Sequence, residues 1–136
     1  MREILFRGKV KGKNKWHIGW YQPPFDYKWE STDGEVRHSD AMIIFLNYAM
    51  RPDWTVVDEA TVGQYTGLTD KNGTKIFEGD IVDVNGYAYA VCWNEDNVEF
   101  GIYNKDESIG IAYIGAFNTE VIGNIYDNPE LIGGTE

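Results

Sequence analysis

From Val62 onward the chain is cut into strand-like runs of seven residues or fewer: 62–68, 74–77, 81–84, 87–93, 98–103, 111–116 and 121–126. The segments between them, TDKNG, EGD, NG, NEDN, NKDESIG and FNTE, are built from turn formers. Such spacing leaves no room for a helix of several turns and points to short antiparallel strands. Asn85-Gly86 is the sharpest of these signals, because a two-residue type I′ hairpin needs positive φ at both positions and this pair accepts it at least cost. Strands linked this tightly are what a small closed barrel uses to remove its open edges, so residues 62–136 are expected to form an SH3-like β-barrel.

The first 61 residues read as a second small β lobe. Ile4 to Val10 and Trp16 to Tyr21 are strands joined by the polar KGKNK turn. After Pro23-Pro24, Phe25, Tyr27 and Trp29 alternate with charged residues, the period of a strand with one aromatic face, and Thr32-Asp33-Gly34 supplies a turn. Residues 40–50 admit two readings. Ser39 or Asp40 can cap a helix that Pro52 stops, yet MIIFLNY is equally a buried strand, and periodicity does not separate the two; we favour the strand. The expected fold is therefore mainly β, two small lobes (1–61 and 62–136), with at most one or two short helices. Residues 53–61 make the connection.

Charge and cysteine usage narrow the function classes. The net charge of −10 opposes broad nucleic-acid affinity, which lysine and arginine drive by displacing counterions. The distribution is uneven: within residues 1–20, Arg2, Arg7, Lys9, Lys11, Lys13 and Lys15 face only Glu3, so the remainder carries −15. This basic segment reads as a solvated hairpin tip or as an arm that meets nucleic acid or an acidic neighbour. The single cysteine, Cys92, has no internal disulfide partner, and with only His17 and His38 there is no usual zinc ligand set. The start of the chain lacks the apolar core of a signal peptide, and no run is long enough to cross a membrane as a helix. A protein of the cytoplasm, without membrane contact and without a cofactor, is expected.

GLTDKNGTKIFEGDIVDV, residues 67–84, concentrates carboxylates among turn residues and invites a metal or phosphate reading. An EF-hand counted from Asp70 wants glycine at its sixth position and glutamate at its twelfth; glycine falls fourth and Ile81 twelfth. A phosphate loop fails because no GK[ST] follows. The stretch is therefore expected to reverse a hairpin at Asp70 to Gly73 and bend at Gly79. Glu78 and Asp80 form a carboxylate pair with no further sign of acid–base chemistry, the serines lack a nucleophile-elbow context, and Cys92 sits in a strand as a small hydrophobe. No catalytic residues are expected. The aromatic set Trp16, Trp20, Tyr21, Phe25, Tyr27 and Trp29 most simply fills the core of the first lobe, with an interface or a base-stacking surface as the alternatives.

Three stretches carry a resemblance: REILFRGK with Trp16 and Gly19, TVGQYTGLTDKNGTKIFEGDIV (61–82), and EVIGNIYDNPELI (120–132). Together they are similar to the YopX family of phage and prophage proteins. The resemblance implies a small, mainly β, oligomeric protein made in the bacterial cytoplasm, and it brings no catalytic residues with it. The expected function is a non-enzymatic interaction or assembly module that self-associates or docks on a phage or host protein. The candidate surface is Lys9, Lys11, Lys13, Lys15, Trp16 and Trp20. The alternatives are a nucleic-acid accessory protein that uses this basic segment, or an acidic DNA mimic that inhibits a host protein.

Overall fold

The computed structural model describes residues 3–28, 36–110 and 118–133. The chain divides into two compact units, Leu5–Val62 and Gly63–Glu136, the latter taking in Met1–Ile4. Thirteen strands run through the described residues, with 3-10 turns at Glu59–Thr61 and Pro129–Ile132, so the fold is mainly β.

In the unit Leu5–Val62, β1 (Phe6–Lys9) and β2 (Trp16–Gln22) form the expected antiparallel hairpin, in register from Phe6↔Gly19 to Lys9↔Trp16. Its KGKNK turn is closed by Val10 N–H donating to the Lys15 carbonyl at 2.8 Å, and Gly12 takes φ +77. β5 (Met42–Leu46) pairs with β2 on one side and with β6 (Pro52–Val56) on the other. Residues 40–50 thus yield a strand. Its branched side chains fit a pleated surface, and the Asn47 side chain ends it by accepting from the N–H groups of Ala49 and Arg51. Gly19 is required where β2 meets β5, since a Cβ there would lie 2.1 Å from the Ile44 carbonyl oxygen.

The inward residues of these strands are the core. Ala41, Ile43 and Val57 are buried, and Phe6, Tyr21 and Val62 pack against them. Val57 also bridges back to Val10, and Asp58 N–H donates to the Lys9 carbonyl at 2.9 Å. β3 (Asp26–Lys28) and β4 (Val36–His38) make a separate two-stranded ribbon. Trp29 and the turn expected at 32–34 lie outside the described residues.

In the unit that begins at Gly63, β7 (Gly63–Thr69) pairs with β8 (Lys75–Phe77). β9 (Asp80–Val84), β10 (Tyr87–Asn94), β11 (Glu99–Tyr103), β12 (Ser108–Gly110) and β13 (Thr119–Asn124) form a five-stranded sheet in the order β12-β11-β10-β9-β13. Ile76, Val82, Val84, Tyr89, Val91 and Ile102 are its core, with Leu68, Ile109 and Val121 packed on it. The Asn85-Gly86 turn is present, with φ 54 and 91, and the Asp83 carboxylate accepts from Gly86 N–H at 2.8 Å.

Three expectations need correction. Residues 53–61, read as the connection, begin with most of strand β6, which pairing with β5 holds in the first sheet. Among the described residues no sheet closes into a barrel: β13 returns to the far side of β9, which leaves the five-stranded sheet open, so the SH3-like closure is not found. Ser108–Gly110, read as part of a linker, is a strand, because main-chain pairing to β11 holds a segment whose side chains carry no alternation. The strand expected at 111–116 lies outside the described residues.

Val98 ends the β10–β11 turn with φ 52 while its side chain is exposed. A branched residue in this left-handed region carries roughly 1–2 kcal/mol of strain, which asparagine largely escapes. Val98→Asn is therefore expected to stabilise the protein by about 0.5–1 kcal/mol in urea unfolding; an unchanged midpoint would mean the turn is not strained.

Candidate interaction face

Because side chains alternate across a strand, every inward residue of β2, β5 and β6 has outward neighbours. The register places Trp20, Ile44 and Trp54 directly beside one another across these three strands. Gln22, Met42 and Val56 form the next row, and Leu46 stands opposite Pro52. On the outer side of β2, Ile18 lies across from Arg7, and Trp16 across from Lys9. The outside of a sheet normally carries polar residues. Here Trp20 is 54% exposed, Trp54 63%, and Ile18 and Leu46 48% each. Gln22, Met42, Ile44, Pro52, Asp53 and Trp54 line an open depression of about 450 Å³. The Asp53 carboxylate accepts from Trp54 N–H at 2.8 Å.

The aromatic set does not fill the core as the simplest reading had it. Tyr21 packs against it, 5.7 Å from the Phe6 ring, but Trp20, Phe25 and Tyr27 are exposed. The rings of Phe25 and of Tyr27 in β3 lie 5.9 Å apart, tilted by 50°. The physical reason is the length of the inner face: the four short strands enclose a core that Ala41, Ile43, Val57, Phe6, Tyr21 and Val62 already occupy.

Of the six residues singled out in the sequence, Lys11, Lys13 and Lys15 are exposed at the hairpin tip, Lys9 and Trp16 are half-buried at its strand ends, and Trp20 lies farther along β2. Trp16 packs under the Arg7 guanidinium, 4.9 Å from its ring centroid. Residues 9–14 and Asp58 surround a second open depression of about 490 Å³. Sequence reasoning missed Ile44, Leu46 and Trp54. The available signal was that MIIFL is apolar at every position, so a strand there has two apolar faces and only one core to cover them.

The stretch 67–84 is structural. Asp70 is 8% exposed, and its carboxylate accepts from Asn72 and Thr74 N–H at 2.9 Å each and from Val121 N–H at 2.9 Å. One oxygen closes the turn and the other ties it to β13. Burial pushes its carboxyl up, but the amides of Val121, Thr74 and Asn72 and the Lys71 charge outweigh this and hold it below 3.8. Asp80, 1% exposed, accepts from Phe77 N–H at 2.7 Å, and Glu78 accepts from Gln64 N–H at 3.3 Å. Both carboxylates of the suspected pair thus serve the backbone. Gly79, at φ +93, bends the chain as expected.

The remaining reactive side chains are dispersed. The half-buried Cys92 thiol is pushed up by burial and by Glu78, which keeps it protonated. His17 is lowered by burial and by Lys15, with Asp53 opposing, and its ring lies 4.6 Å from Phe45. His38 Nδ1 contacts the Asp26 carboxylate on the exposed ribbon, and the neighbouring Ser39 hydroxyl accepts from Phe25 N–H. Among the described residues no three His, Cys, Asp or Glu side chains are grouped to hold a metal, and no helix is long and apolar enough to cross a membrane.

Fold and surface define a mainly β protein of two units, one of which bears an open aromatic face. The YopX protein family matches residues 5–133, nearly the whole chain, and the protein belongs to that family. Among solved structures it is similar to protein EF1440 from Enterococcus faecalis, with a TM-score of 0.52 at 20% identity over 97% of this chain and 99% of that one. That likeness concerns the fold. No curated protein matches.

Replacing Asp70 by Ala strands three amides and is expected to cost about 2–3 kcal/mol. Since the folded-state carboxyl titrates below 3.8, its contribution is intact at neutral pH, declines as pH falls below that value and is gone below the folded-state one. Urea unfolding across the acid range should show Asp70→Asn losing less stability there than the unsubstituted protein. Equal losses would contradict this account.

Proposed function

We propose that this YopX family member is a non-enzymatic interaction module of the bacterial cytoplasm, of phage or prophage origin, that docks a macromolecular partner on the outer face of β2, β5 and β6. The observation that carries the reading is the row Trp20–Ile44–Trp54, in which the two indoles are open to solvent on either side of a half-buried Ile44, continued by Ile18 and Leu46. Contiguous exposed apolar surface of this kind marks interaction sites, and tryptophan is the side chain most often found at their energetic centres. Asp70, Asp80 and Glu78, the carboxylates of the stretch 67–84 that most resembled a site, each accept from backbone amides, which supports this reading.

Substituting both Trp20 and Trp54 by Ala removes exposed surface and leaves the core untouched. The folded state should therefore change by less than about 1 kcal/mol, each surface change lying within about 0.5 kcal/mol. The double variant is expected to keep the circular dichroism spectrum while losing any self-association seen by light scattering and any identified component that co-purifies with the unsubstituted protein. Identical mass and identical co-purifying material in both proteins would overturn the reading.

A further inference from the structure

The charge on the two units is divided in a way the total conceals. The unit that begins at Gly63, with Met1–Ile4, holds fourteen acidic against four basic residues and so carries the whole net charge of −10. Leu5–Val62 holds eight of each. Within it the lysines gather at one place, the β1–β2 hairpin, where Lys11, Lys13 and Lys15 are exposed. The strand leaving that hairpin, β2, is the one that carries Trp20. Along the outward rows of β2, β5 and β6 (Ile18, Trp20 and Gln22; Met42, Ile44 and Leu46; Pro52, Trp54 and Val56) no side chain bears a carboxylate, and among the described residues Asp53 is the one acidic residue that lines the depression there.

Resting on the docking reading above, we infer that the occupant of this face is single-stranded nucleic acid, with Trp20 and Trp54 as stacking platforms and Lys11, Lys13 and Lys15 meeting phosphates. Area separates this from a folded protein partner. An aromatic side chain buries about 150–250 Å² in full, so the two half-open indoles offer on the order of 200–300 Å². A stable protein interface needs about 800 Å² per partner. The two indoles by themselves leave a gap to that area. A nucleic-acid strand does not need it closed, because ring-on-ring stacking and phosphate contacts supply the affinity. The geometry suits a strand: Trp20 and Trp54 flank Ile44 across two ladder spacings, so their backbones stand roughly 10 Å apart on one surface. The bases must be unpaired, since the ring faces that stack on tryptophan are covered within a duplex.

The test measures binding of the full chain to labelled oligothymidylate, oligouridylate and a duplex of mixed sequence, by fluorescence anisotropy with tryptophan quenching. The single strands should bind at low salt and quench the protein, and the duplex should bind more weakly. Oligodeoxyuridylate compared with oligouridylate, which differ only in the sugar, tells DNA from RNA. Three phosphate contacts predict a slope of about −2 for log affinity against log salt, and replacing Lys11, Lys13 and Lys15 together by Gln should flatten it. Trp20→Ala and Trp54→Ala should each lower affinity about ten-fold, the lower part of the range for one stacked base. Trp20→Phe and Trp54→Phe, which keep a ring, should restore most of it. No binding at low salt, binding that survives both Ala substitutions, or an equally tight duplex would overturn the inference. If oligonucleotides fail to bind while the double Ala variant loses self-association or an identified protein partner, the nucleic-acid assignment falls and the docking reading stands. If that variant changes nothing in either assay, both fall.

Discussion

The pairing of β5 on both of its edges decides what the unit Leu5–Val62 presents to the outside. Main-chain bonds to β2 and β6 fix its register, and a slip of one residue would exchange Ile43 for Ile44 between core and surface. Ile43, fully buried, anchors the inner side. The same alternation then forces Met42, Ile44 and Leu46 outward, where Trp20 and Trp54 flank them. Gly19 makes this arrangement possible by letting β2 approach the Ile44 carbonyl. Core and open face are two consequences of one register.

In the unit that begins at Gly63 a single carboxylate plays the organising part. Asp70 closes its own hairpin with one oxygen and captures the Val121 amide with the other, so a local turn and a strand fifty-one residues away share one side chain. Charge-assisted bonds of this kind are worth more than neutral ones. A site-like cluster of acidic and turn residues is thereby accounted for without a ligand. Asp80 and Gly79 extend the same logic, one holding the Phe77 amide and the other supplying a backbone angle that side chains avoid.

Where the signal was local, the sequence was sufficient. The Asn85-Gly86 turn, the hairpin over KGKNK and the reversal at Asp70 to Gly73 each depend on residues within a few positions of one another. Where the deciding partner is distant, it was not. Barrel closure depends on which strand β13 chooses, and the choice of β9 leaves no trace in residues 119–124. The strand at Ser108–Gly110 exists because β11 offers its edge. For the face, Lys11, Lys13, Lys15, Trp16 and Trp20 could be named because they are neighbours along β2 and its hairpin. Ile44 and Trp54 could not, since only the cross-strand register sets them beside Trp20. The aromatic residues were assigned inward for want of any way to count how much core four short strands enclose.

The most direct check is the reactivity of individual tryptophans toward an indole-selective reagent, read by mass spectrometry with and without oligothymidylate. The account predicts rapid modification of Trp20 and Trp54 in the free protein, slower modification of the half-buried Trp16, and protection of Trp20 and Trp54 together when the strand is added. Trp20 and Trp54 already shielded in the free protein, or left equally reactive in its presence, would contradict it.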